Sequence, residues 1–375
     1  MPYITIMQSP RNFRSNIEDD SAEVDLPAIE PTKKLTGTFT RFVDNVNPKY
    51  LKKLRSDEFL AALRAYINGC AALLNRDRHS LYKTFYIPKK TRGYRKIDAP
   101  VPELMTALRN FKTLLESYGG PLYHTAAFAY IPGRSTIDAI RKHQQNQSRW
   151  FLKTDFSDFF GSTTEAFVYK SFSMIFPFSE YLKHEETAQL FRKALNLCFL
   201  DGGLPQGTPV SPFLTNLSML PIDHRIMNDL VKDGYVYTRY ADDILISHQY
   251  DFDDKKMCRY INGVLQRFEA PFRLKDEKTR YGSSAGKNWN LGVMLNKDNE
   301  ITIGRKKKLQ LRATCNSFVR DTQNGDIWNP RDVQILNGQI SYYKMVEPTY
   351  IRAFMQWFNQ KYKVNLMRML RDQLK

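Results

Sequence analysis

The stretch "RYADDILIS", residues 239–247, sets two adjacent aspartates, Asp242 and Asp243, in a run of tyrosine and aliphatic residues. An ionised carboxylate in apolar surroundings is unstable unless something compensates its charge. Neighbouring side chains on a strand point to opposite faces, so both acids can serve one point only if a tight turn carries them. The stretch therefore predicts two short strands joined at the aspartates.

A third acid follows a similar apolar run in "WFLKTDFSDFF", residues 150–160, which predicts a buried strand that ends at Asp155. Three carboxylates brought together repel one another unless a cation neutralises them. Few carboxylates with phosphate oxygens completing the shell are the arrangement that Mg²⁺ favours. We expect two Mg²⁺ ions, with Mn²⁺ as the alternative, which would activate a 3′-hydroxyl and neutralise a leaving pyrophosphate. An isolated Asp-Asp pair would be an ordinary turn.

The bulk composition indicates a folded, basic protein with a polyanionic partner. The chain has 375 residues, a formal charge of +17 and 42% hydrophobic residues. Residues 301–375 hold 14 lysines and arginines against 5 acids, a surface suited to a phosphate backbone. The four cysteines form no CxxC pair or zinc cluster, and neither a secretory leader nor a membrane-spanning run is apparent. We therefore expect a cytoplasmic protein without a membrane partner.

Turn residues and periodicity predict the remaining elements. "YKTFYIPKKTRGYRKIDAP" (82–100) alternates apolar and polar residues around Gly93, which predicts a cation-rich β-hairpin. "GGLPQGTPVSP" (202–212) predicts a loop that opens a helix, and Pro221 is expected to interrupt that helix. Amphipathic spacing predicts helices in about 41–75, with Asn47 and Ser56 as caps, and in 101–117, 164–200 and most of 301–375.

Four of these stretches together resemble the ordered motif series of reverse transcriptases. They are "YADD" within "RYADDILIS", "FLKTDFSDFF", "GGLPQGTPVSP" and "IPKKTRGYRKIDAP". The similarity is greatest to the prokaryotic enzymes: the retron, group II intron and phage-defence types. It runs in the family's order from about residue 82 to 350.

The resemblance implies an α+β fold, the right-hand polymerase fold with fingers, an antiparallel palm sheet with helices, and a helical thumb. It leaves no length for a ribonuclease H or integrase domain. The expected domains are an N-terminal extension (1–40), fingers with the start of the palm (41–149), a palm with inserted fingers helices at about 164–200 (150–296), and a helical basic thumb (297–375).

The same resemblance implies a catalytic site. It makes Asp155, Asp242 and Asp243 the catalytic metal ligands, with the carbonyl of Phe156 as a further ligand. Phe160 falls where the family has an aromatic ring beneath the incoming sugar, so deoxynucleotides should be selected over ribonucleotides. The other nucleotide-binding residues that it implies are Lys89 or Lys90, Arg95, Gln206, Gly207, and Lys278 or its neighbour Lys275.

Primer and template contacts are implied in two further regions. Tyr240 and Ala241 would lie under the last base pair of the primer, and "NWNLGVMLN" (288–296) resembles the primer-grip hairpin. In that hairpin we expect Trp289 in the core and Gly292 at the bend. The thumb residues expected to contact the duplex are Arg305, Lys306, Lys307, Lys308 and Arg312.

The implied activity is RNA-directed DNA polymerisation, with an RNA template, a DNA primer or product and dNTPs as partners. "NLG" at 290–292 replaces the retron "VTG", "DAIRKH" at 138–143 departs from the retron "NAxxH", and no maturase or endonuclease region follows. We therefore favour a stand-alone enzyme of bacterial antiviral defence that copies a dedicated noncoding RNA, with a neighbouring partner protein or an oligomeric form as further expectations. The alternatives are template-independent or protein-primed DNA synthesis, retron-type msDNA synthesis, RNA-dependent RNA polymerisation and a catalytically silent RNA-binding scaffold.

Overall fold

The structure is a computed structural model. It describes residues 54–89, 93–119, 122–284, 289–290 and 292–374, and only the backbone of Trp289, Asn290 and Met294. The predicted extension at 1–40, the proposed cap Asn47 and the predicted nucleotide-binding residue Lys90 lie outside these ranges, as does the side chain of Trp289.

The described chain divides into two compact units. The first comprises the described residues up to Arg134 together with Leu152–Ile246 and Phe252–Arg280. The second comprises Ser135–Phe151, Ser247–Asp251 and the described part of Tyr281–Lys375. The predicted domain boundaries stay predictions.

Helices form most of the first unit, as the amphipathic spacing predicts. In α1 (Ser56–Gly69) the buried Phe59, Leu63 and Ile67 recur every four residues and enter an aromatic core. Ser56 is the first residue of this helix and not its cap, because the N-cap position falls on Arg55. The predicted helical region 164–200 is three helices. The helices that follow α1 in this unit are α2 (Ala71–Leu74), α3 (Pro102–Gly119), α5 (Phe159–Ser162), α6 (Glu165–Phe172), α7 (Phe178–Tyr181), α8 (Glu185–Asn196), α9 (Ser211–Leu230) and α10 (Asp254–Arg267).

Helix α9 corrects one expectation. It begins at the end of the "GGLPQGTPVSP" loop, as predicted. It is 20 residues long and contains Pro221 without a break. Proline removes one backbone hydrogen bond from a helix interior. Residues on both sides of Pro221 are buried, so packing of both halves against the core outweighs that loss.

The predicted cation-rich hairpin is present as β1 (Tyr82–Pro88) and β2 (Tyr94–Pro100). The two strands pair antiparallel, from Tyr82 opposite Pro100 to Pro88 opposite Tyr94. Gly93 has a φ of 101°, a conformation that glycine adopts without strain. Beyond Tyr82 every residue of β1 is exposed.

A four-stranded sheet carries the aspartates and has the strand order β4-β5-β3-β6. The strands are β3 (Trp150–Asp155), β4 (Val236–Tyr240), β5 (Asp243–His248) and β6 (Arg280–Ser283). The predicted strand before Asp155 and the predicted strand pair around Asp242 are both confirmed.

The second unit contains a small sheet and a helical bundle. The predicted hairpin in "NWNLGVMLN" is formed by β7 (Trp289–Asn290) and β8 (Val293–Leu295), with Gly292 at the bend at a φ of 84°, and β9 (Ile301–Thr302) completes the sheet. Most of residues 301–375 is helical, as predicted. The helices of this unit are α4 (Thr136–Gln145), α11 (Gly304–Gln323), α12 (Pro330–Val346), α13 (Pro348–Tyr362) and α14 (Leu366–Asp372). Within the described ranges no helix is both long and apolar enough to span a membrane.

Candidate active site

A tight turn carries the two adjacent aspartates, as the sequence predicts. Strand β4 ends at Tyr240 and β5 starts at Asp243, so only Ala241 and Asp242 lie between them. Ala241 has a φ of 58°, in the left-handed region that residues with a side chain seldom adopt. The guanidinium Nη1 of Arg239 donates a hydrogen bond of 3.0 Å to the Ala241 carbonyl and holds the turn in this form.

Asp155 lies next to this turn. The backbone N–H of Phe156 donates to the carbonyl oxygen of Asp242 at 3.0 Å, which ties the end of β3 to the aspartate turn. The Phe156 ring is fully buried and stacks on Phe159 at 5.4 Å between centroids, so its backbone is held in place by the core. The structure therefore brings together the four residues that the sequence predicts as metal ligands.

Burial and mutual interactions shift the pKa values of all three carboxyl groups. Burial raises the pKa of Asp243 to about 7, and its hydrogen bond with Asp155 adds to the shift. Burial also raises the pKa of Asp242, with the Asp155 charge as a further cause. Burial acts in the same direction on Asp155, but its bonds with Asp243 and Lys278 outweigh this and lower its pKa. Of these two carboxyl groups, Asp243 therefore takes up a proton more readily than Asp155.

Two lysines supply the compensating positive charge. Lys278 Nζ lies 2.5 Å from Asp155 Oδ2, and Lys153 Nζ lies 3.1 Å from Asp243 Oδ1. The short helix Asp276–Lys278 places the first lysine, because Lys275 N donates to the Asp155 carbonyl at 2.8 Å. Of the two lysines that the sequence left open at this position, Lys275 and Lys278, the side chain of Lys278 bonds to the Asp155 carboxylate.

This donor set fits a divalent cation. The carboxylates of Asp155 and Asp243 meet from two strands beside Asp242, and carboxylate oxygens are hard ligands of the kind that Mg²⁺ prefers. As placed, the described side chains include no group of three or more acids, histidines or cysteines ready to hold a metal ion. Lys153 and Lys278 neutralise the carboxylates instead, so a bound cation would take over their partners.

Phe160 lies on α5, five residues after Asp155, and is partly buried. Its carbonyl accepts a hydrogen bond of 3.0 Å from Leu204 N, which joins it to the "GGLPQG" loop. The two segments touch backbone to backbone, since a Cβ on Gly203 would lie 2.1 Å from the Gly161 carbonyl oxygen. The structure therefore brings Phe160 and the loop together.

The loop in turn contacts the β1–β2 hairpin. The Gln206 carbonyl accepts from Asp98 N at 2.8 Å. Gly207 has a φ of 121°, and a Cβ there would lie 3.0 Å from the Asp98 carbonyl oxygen. The glycine allows this close approach to β2, and its predicted role in nucleotide binding stays a prediction.

The cationic residues predicted to bind the nucleotide lie on the β1–β2 hairpin or next to it. Arg95 is exposed on β2 opposite Ile87, and Lys89 is exposed just beyond β1, with its N–H bonded to the Gly93 carbonyl at 2.9 Å. Lys96 is bonded instead to Asp98 at 3.3 Å.

The predicted primer and template residues fall in both units. Tyr240 and Ala241 belong to the aspartate turn in the first unit. In the second unit Gly292 bends the β7–β8 hairpin, and its carbonyl accepts from Lys307 Nζ at 2.5 Å. The remaining predicted cations lie on α11: Arg305, Lys306, Lys308 and Arg312.

Those four cations differ in their partners. Arg305 and Lys306 are exposed. Lys308 forms an ion pair with Glu347 and lies 4.1 Å from the centroid of the Tyr350 ring. The Arg312 guanidinium lies 4.4 Å from the centroid of Trp357. The first two are thus better placed than Lys308 to contact a phosphate backbone.

Several residues of the site were not predicted from the sequence. Lys153 is two residues before Asp155 on the same strand, and the period of two would have placed both on one face. Arg239 pairs with Asp223, 16 residues away, which no local pattern reveals. Tyr130 lies beside Phe160 with 6.4 Å between ring centroids.

Comparison with known proteins agrees with this geometry. The family model "Reverse transcriptase (RNA-dependent DNA polymerase)" matches residues 87–303, more than half of the chain. The chain belongs to the reverse transcriptase family. Its fold is the α+β right-hand polymerase fold and its enzyme class is RNA-directed DNA polymerase, as predicted.

Similar proteins include retron enzymes from two bacteria. The Retron Ec83 reverse transcriptase of Escherichia coli is 27% identical over 290 residues, covering 75% of this chain and 86% of that protein. The Retron Mx65 reverse transcriptase of Myxococcus xanthus is 29% identical over 296 residues, covering 73% of this chain and 63% of that protein. Apo telomerase from Candida tropicalis, truncated from its C-terminal domain, is 13% identical with a TM-score of 0.41, covering 61% of this chain and 56% of that one.

Proposed function

We propose that Asp155, Asp242 and Asp243 bind two Mg²⁺ ions and catalyse transfer of deoxynucleotides to a primer 3′-hydroxyl. The observation that carries this proposal is the hydrogen bond between the Asp155 and Asp243 carboxyl groups beside the turn that carries Asp242, with Lys278 and Lys153 as their ion-pair partners. Bound divalent ions supply a deprotonated 3′-hydroxyl and charge neutralisation at the leaving pyrophosphate.

The chain's own residues would then bind and orient the substrate. Arg95 and Lys89 hold the triphosphate from the exposed hairpin by charge and hydrogen bonds. Lys278, which pairs with Asp155, would hold a proton on Nζ that the leaving pyrophosphate could take up. Gln206 presents an amide donor and an acceptor to the nucleotide.

Phe160 would select the sugar. Its backbone is fixed by the Leu204 hydrogen bond and by the contact between Gly161 and Gly203. A ring carried on that backbone would occupy the space that a 2′-hydroxyl needs, so ribonucleotides would be disfavoured by steric conflict. This favours DNA synthesis over RNA-dependent RNA polymerisation.

We place this activity in bacterial antiviral defence, with a dedicated noncoding RNA as template. The supporting observations are the departures "NLG" and "DAIRKH" from the retron pattern in a chain otherwise similar to retron enzymes. Retron-type msDNA synthesis is the second candidate, favoured by the coverage of 86% of the Escherichia coli relative.

Sequencing of DNA that copurifies with the protein, expressed from its native locus, tests both candidates. Wild type is compared with the double variant Asp242→Asn, Asp243→Asn. A matched control is Asp253→Asn, Asp254→Asn, a second adjacent pair at the start of α10, where asparagine also caps a helix well.

A discrete DNA that is present in wild type and control, absent from the active-site variant, and complementary to a neighbouring noncoding RNA is the expected result. Branched RNA-linked DNA would favour the retron candidate. Copurifying DNA of repetitive or random sequence would indicate template-independent synthesis instead of templated synthesis. Equal DNA in all three proteins would overturn catalysis at these aspartates and favour the scaffold.

A further inference from the structure

Tyr130 has an unusual backbone for an aromatic residue. Its φ is 59°, in the left-handed region. Of the non-glycine residues with positive φ in the described ranges, it is the one aromatic. A bulky residue in this conformation is strained, and such strain persists where the surrounding structure enforces it, often at functional sites. The side chain is nevertheless 57% exposed, so burial of the ring does not explain the strain.

The backbone that leads into Tyr130 is held by three hydrogen bonds. Phe128 N donates to the Arg239 carbonyl at 2.9 Å, and Asn216 Nδ2 donates to the Ala129 carbonyl at 2.9 Å. Arg134 Nη1 donates to the Ala127 carbonyl at 2.6 Å. Tyr130 is therefore held in position on the same network that supports the aspartate turn.

The surroundings of the phenol are those of the proposed nucleotide site. The ring lies 6.4 Å from Phe160, at an interplanar angle of 58°. Partial burial raises the pKa of Tyr130, the charges of Asp242 and Tyr240 add to the shift, and Arg95 opposes it. The side chain thus lies beside the ring proposed to contact the sugar, and the charges of Asp242 and Arg95 act on its hydroxyl.

We propose that Tyr130 is a specificity-determining residue that contacts the incoming deoxynucleoside triphosphate and forms, with Phe160, a joint aromatic wall against the sugar. This inference rests on the proposed function of the aspartate site. An exposed ring on a fixed backbone beside Phe160 limits the positions that Phe160 can take, and it offers the nucleotide an apolar surface.

The test uses the full-length protein with Mg²⁺, poly(rA) template and an oligo(dT) primer, and measures KM and kcat for dTTP and UTP. Tyr130→Asn removes the ring but keeps a residue that tolerates positive φ, so it should fold with unchanged or higher thermal stability. We expect the KM for dTTP to rise about tenfold and the preference for dTTP over UTP to fall about tenfold. Tyr130→Phe keeps the ring and should resemble wild type.

Two controls complete the design. Tyr250→Asn removes another exposed tyrosine, outside the proposed site, and should change neither parameter. In the double variant with Phe160→Ala, the loss of sugar preference should be smaller than the product of the single losses, because both rings form one wall.

Unchanged dTTP kinetics and sugar preference in a folded Tyr130→Asn protein would overturn the proposal, as would equal losses in Tyr130→Phe or strictly multiplicative effects in the double variant. Absence of DNA synthesis by wild type would instead reject the proposed function. The two failures are therefore distinguishable.

Discussion

Arg239 and Asp223 form an ion pair in which neither side chain has any solvent exposure. Arg239 Nη2 lies 2.7 Å from Asp223 Oδ2, and Nε bonds to the other carboxylate oxygen at 2.9 Å. Because Nη1 of the same guanidinium holds the Ala241 carbonyl, this pair couples the core to the turn that carries Asp242 and Asp243.

Arg239→Gln should lower the free energy of unfolding by roughly 3–5 kcal/mol, because the Asp223 charge is left buried without its partner. Chemical denaturation measures this. The control Arg64→Gln breaks the exposed ion pair between Arg64 and Glu186 and should lower it by less than about 1 kcal/mol. Equal small losses would contradict the role given to the buried pair. Arg239→Met with Asp223→Leu should recover stability but not DNA synthesis, since the Ala241 carbonyl still lacks its donor.

Gly203→Ala should reduce DNA synthesis strongly. The added Cβ would lie 2.1 Å from the Gly161 carbonyl oxygen, and neither backbone segment can yield without displacing Phe160. Primer extension with dTTP measures the loss. Gly338→Ala is the matched control, because a Cβ there meets nothing within 4 Å on helix α12 and alanine favours helices. Wild-type activity in Gly203→Ala would show that α5 and the loop can separate freely.

Phe160→Ala should raise the incorporation of UTP relative to dTTP by at least about tenfold, because space for a 2′-hydroxyl opens beneath the sugar. Single-nucleotide extension with each substrate gives the ratio. Phe85→Ala, on the exposed hairpin, serves as the comparison for loss of a phenyl ring. If the ratio stayed at the wild-type value, the sugar would be selected elsewhere.

Divalent metal should stabilise the protein more at pH 8 than at pH 6. The pKa of Asp243 is raised to about 7 in the folded chain, so its contribution to stability is present at low pH and is lost as pH rises through about 7. A cation replaces the proton, so apparent affinity should fall by up to about tenfold per pH unit below about 7.

Thermal unfolding with and without Mg²⁺ at both pH values measures this difference. Asp243→Asn has no titrating group at that position and should respond to Mg²⁺ equally weakly at both pH values. A metal-induced rise in Tm that was the same at pH 6 and pH 8 in wild type would argue against the raised pKa of Asp243.

Arg305→Ala with Lys306→Ala should flatten the salt dependence of binding to an RNA–DNA duplex, by about 0.9 in slope for each phosphate that the protein no longer neutralises. Lys308→Ala should leave the slope unchanged and lower stability, because Glu347 already pairs with that ammonium. Titrations at several salt concentrations give the slopes. A larger slope change for Lys308 than for the exposed pair would reverse this assignment.

Local patterns predicted the elements that carry the site. Alternation of apolar and polar residues and the glycine at the bend define the β1–β2 hairpin, and two apolar runs ending in acids define the strands that converge on Asp155 and Asp242. These signals depend on near neighbours in the chain, so the sequence contains them in full.

Features that depend on distant contacts escaped prediction. No local pattern distinguishes Asp223 from other helical acids, because its partner Arg239 is distant in sequence. Pro221 predicts a helix break, because the packing of both halves of α9 is not visible in the local sequence. The strain at Tyr130 arises from bonds such as the one between Asn216 and the Ala129 carbonyl, which join residues 87 positions apart. The lysine at 153, by contrast, needed only the strand period.

The exposure of strand β1 has a consequence for motion. Its residues beyond Tyr82 are all accessible, whereas the aspartate turn is tied to a core arginine. Regions with few buried contacts open at low free-energy cost. In hydrogen–deuterium exchange, amides of the hairpin should therefore lose protection first and those beside Arg239 last. Conformational change during each nucleotide cycle would then take place in the β1–β2 hairpin, while the carboxylates keep a constant geometry.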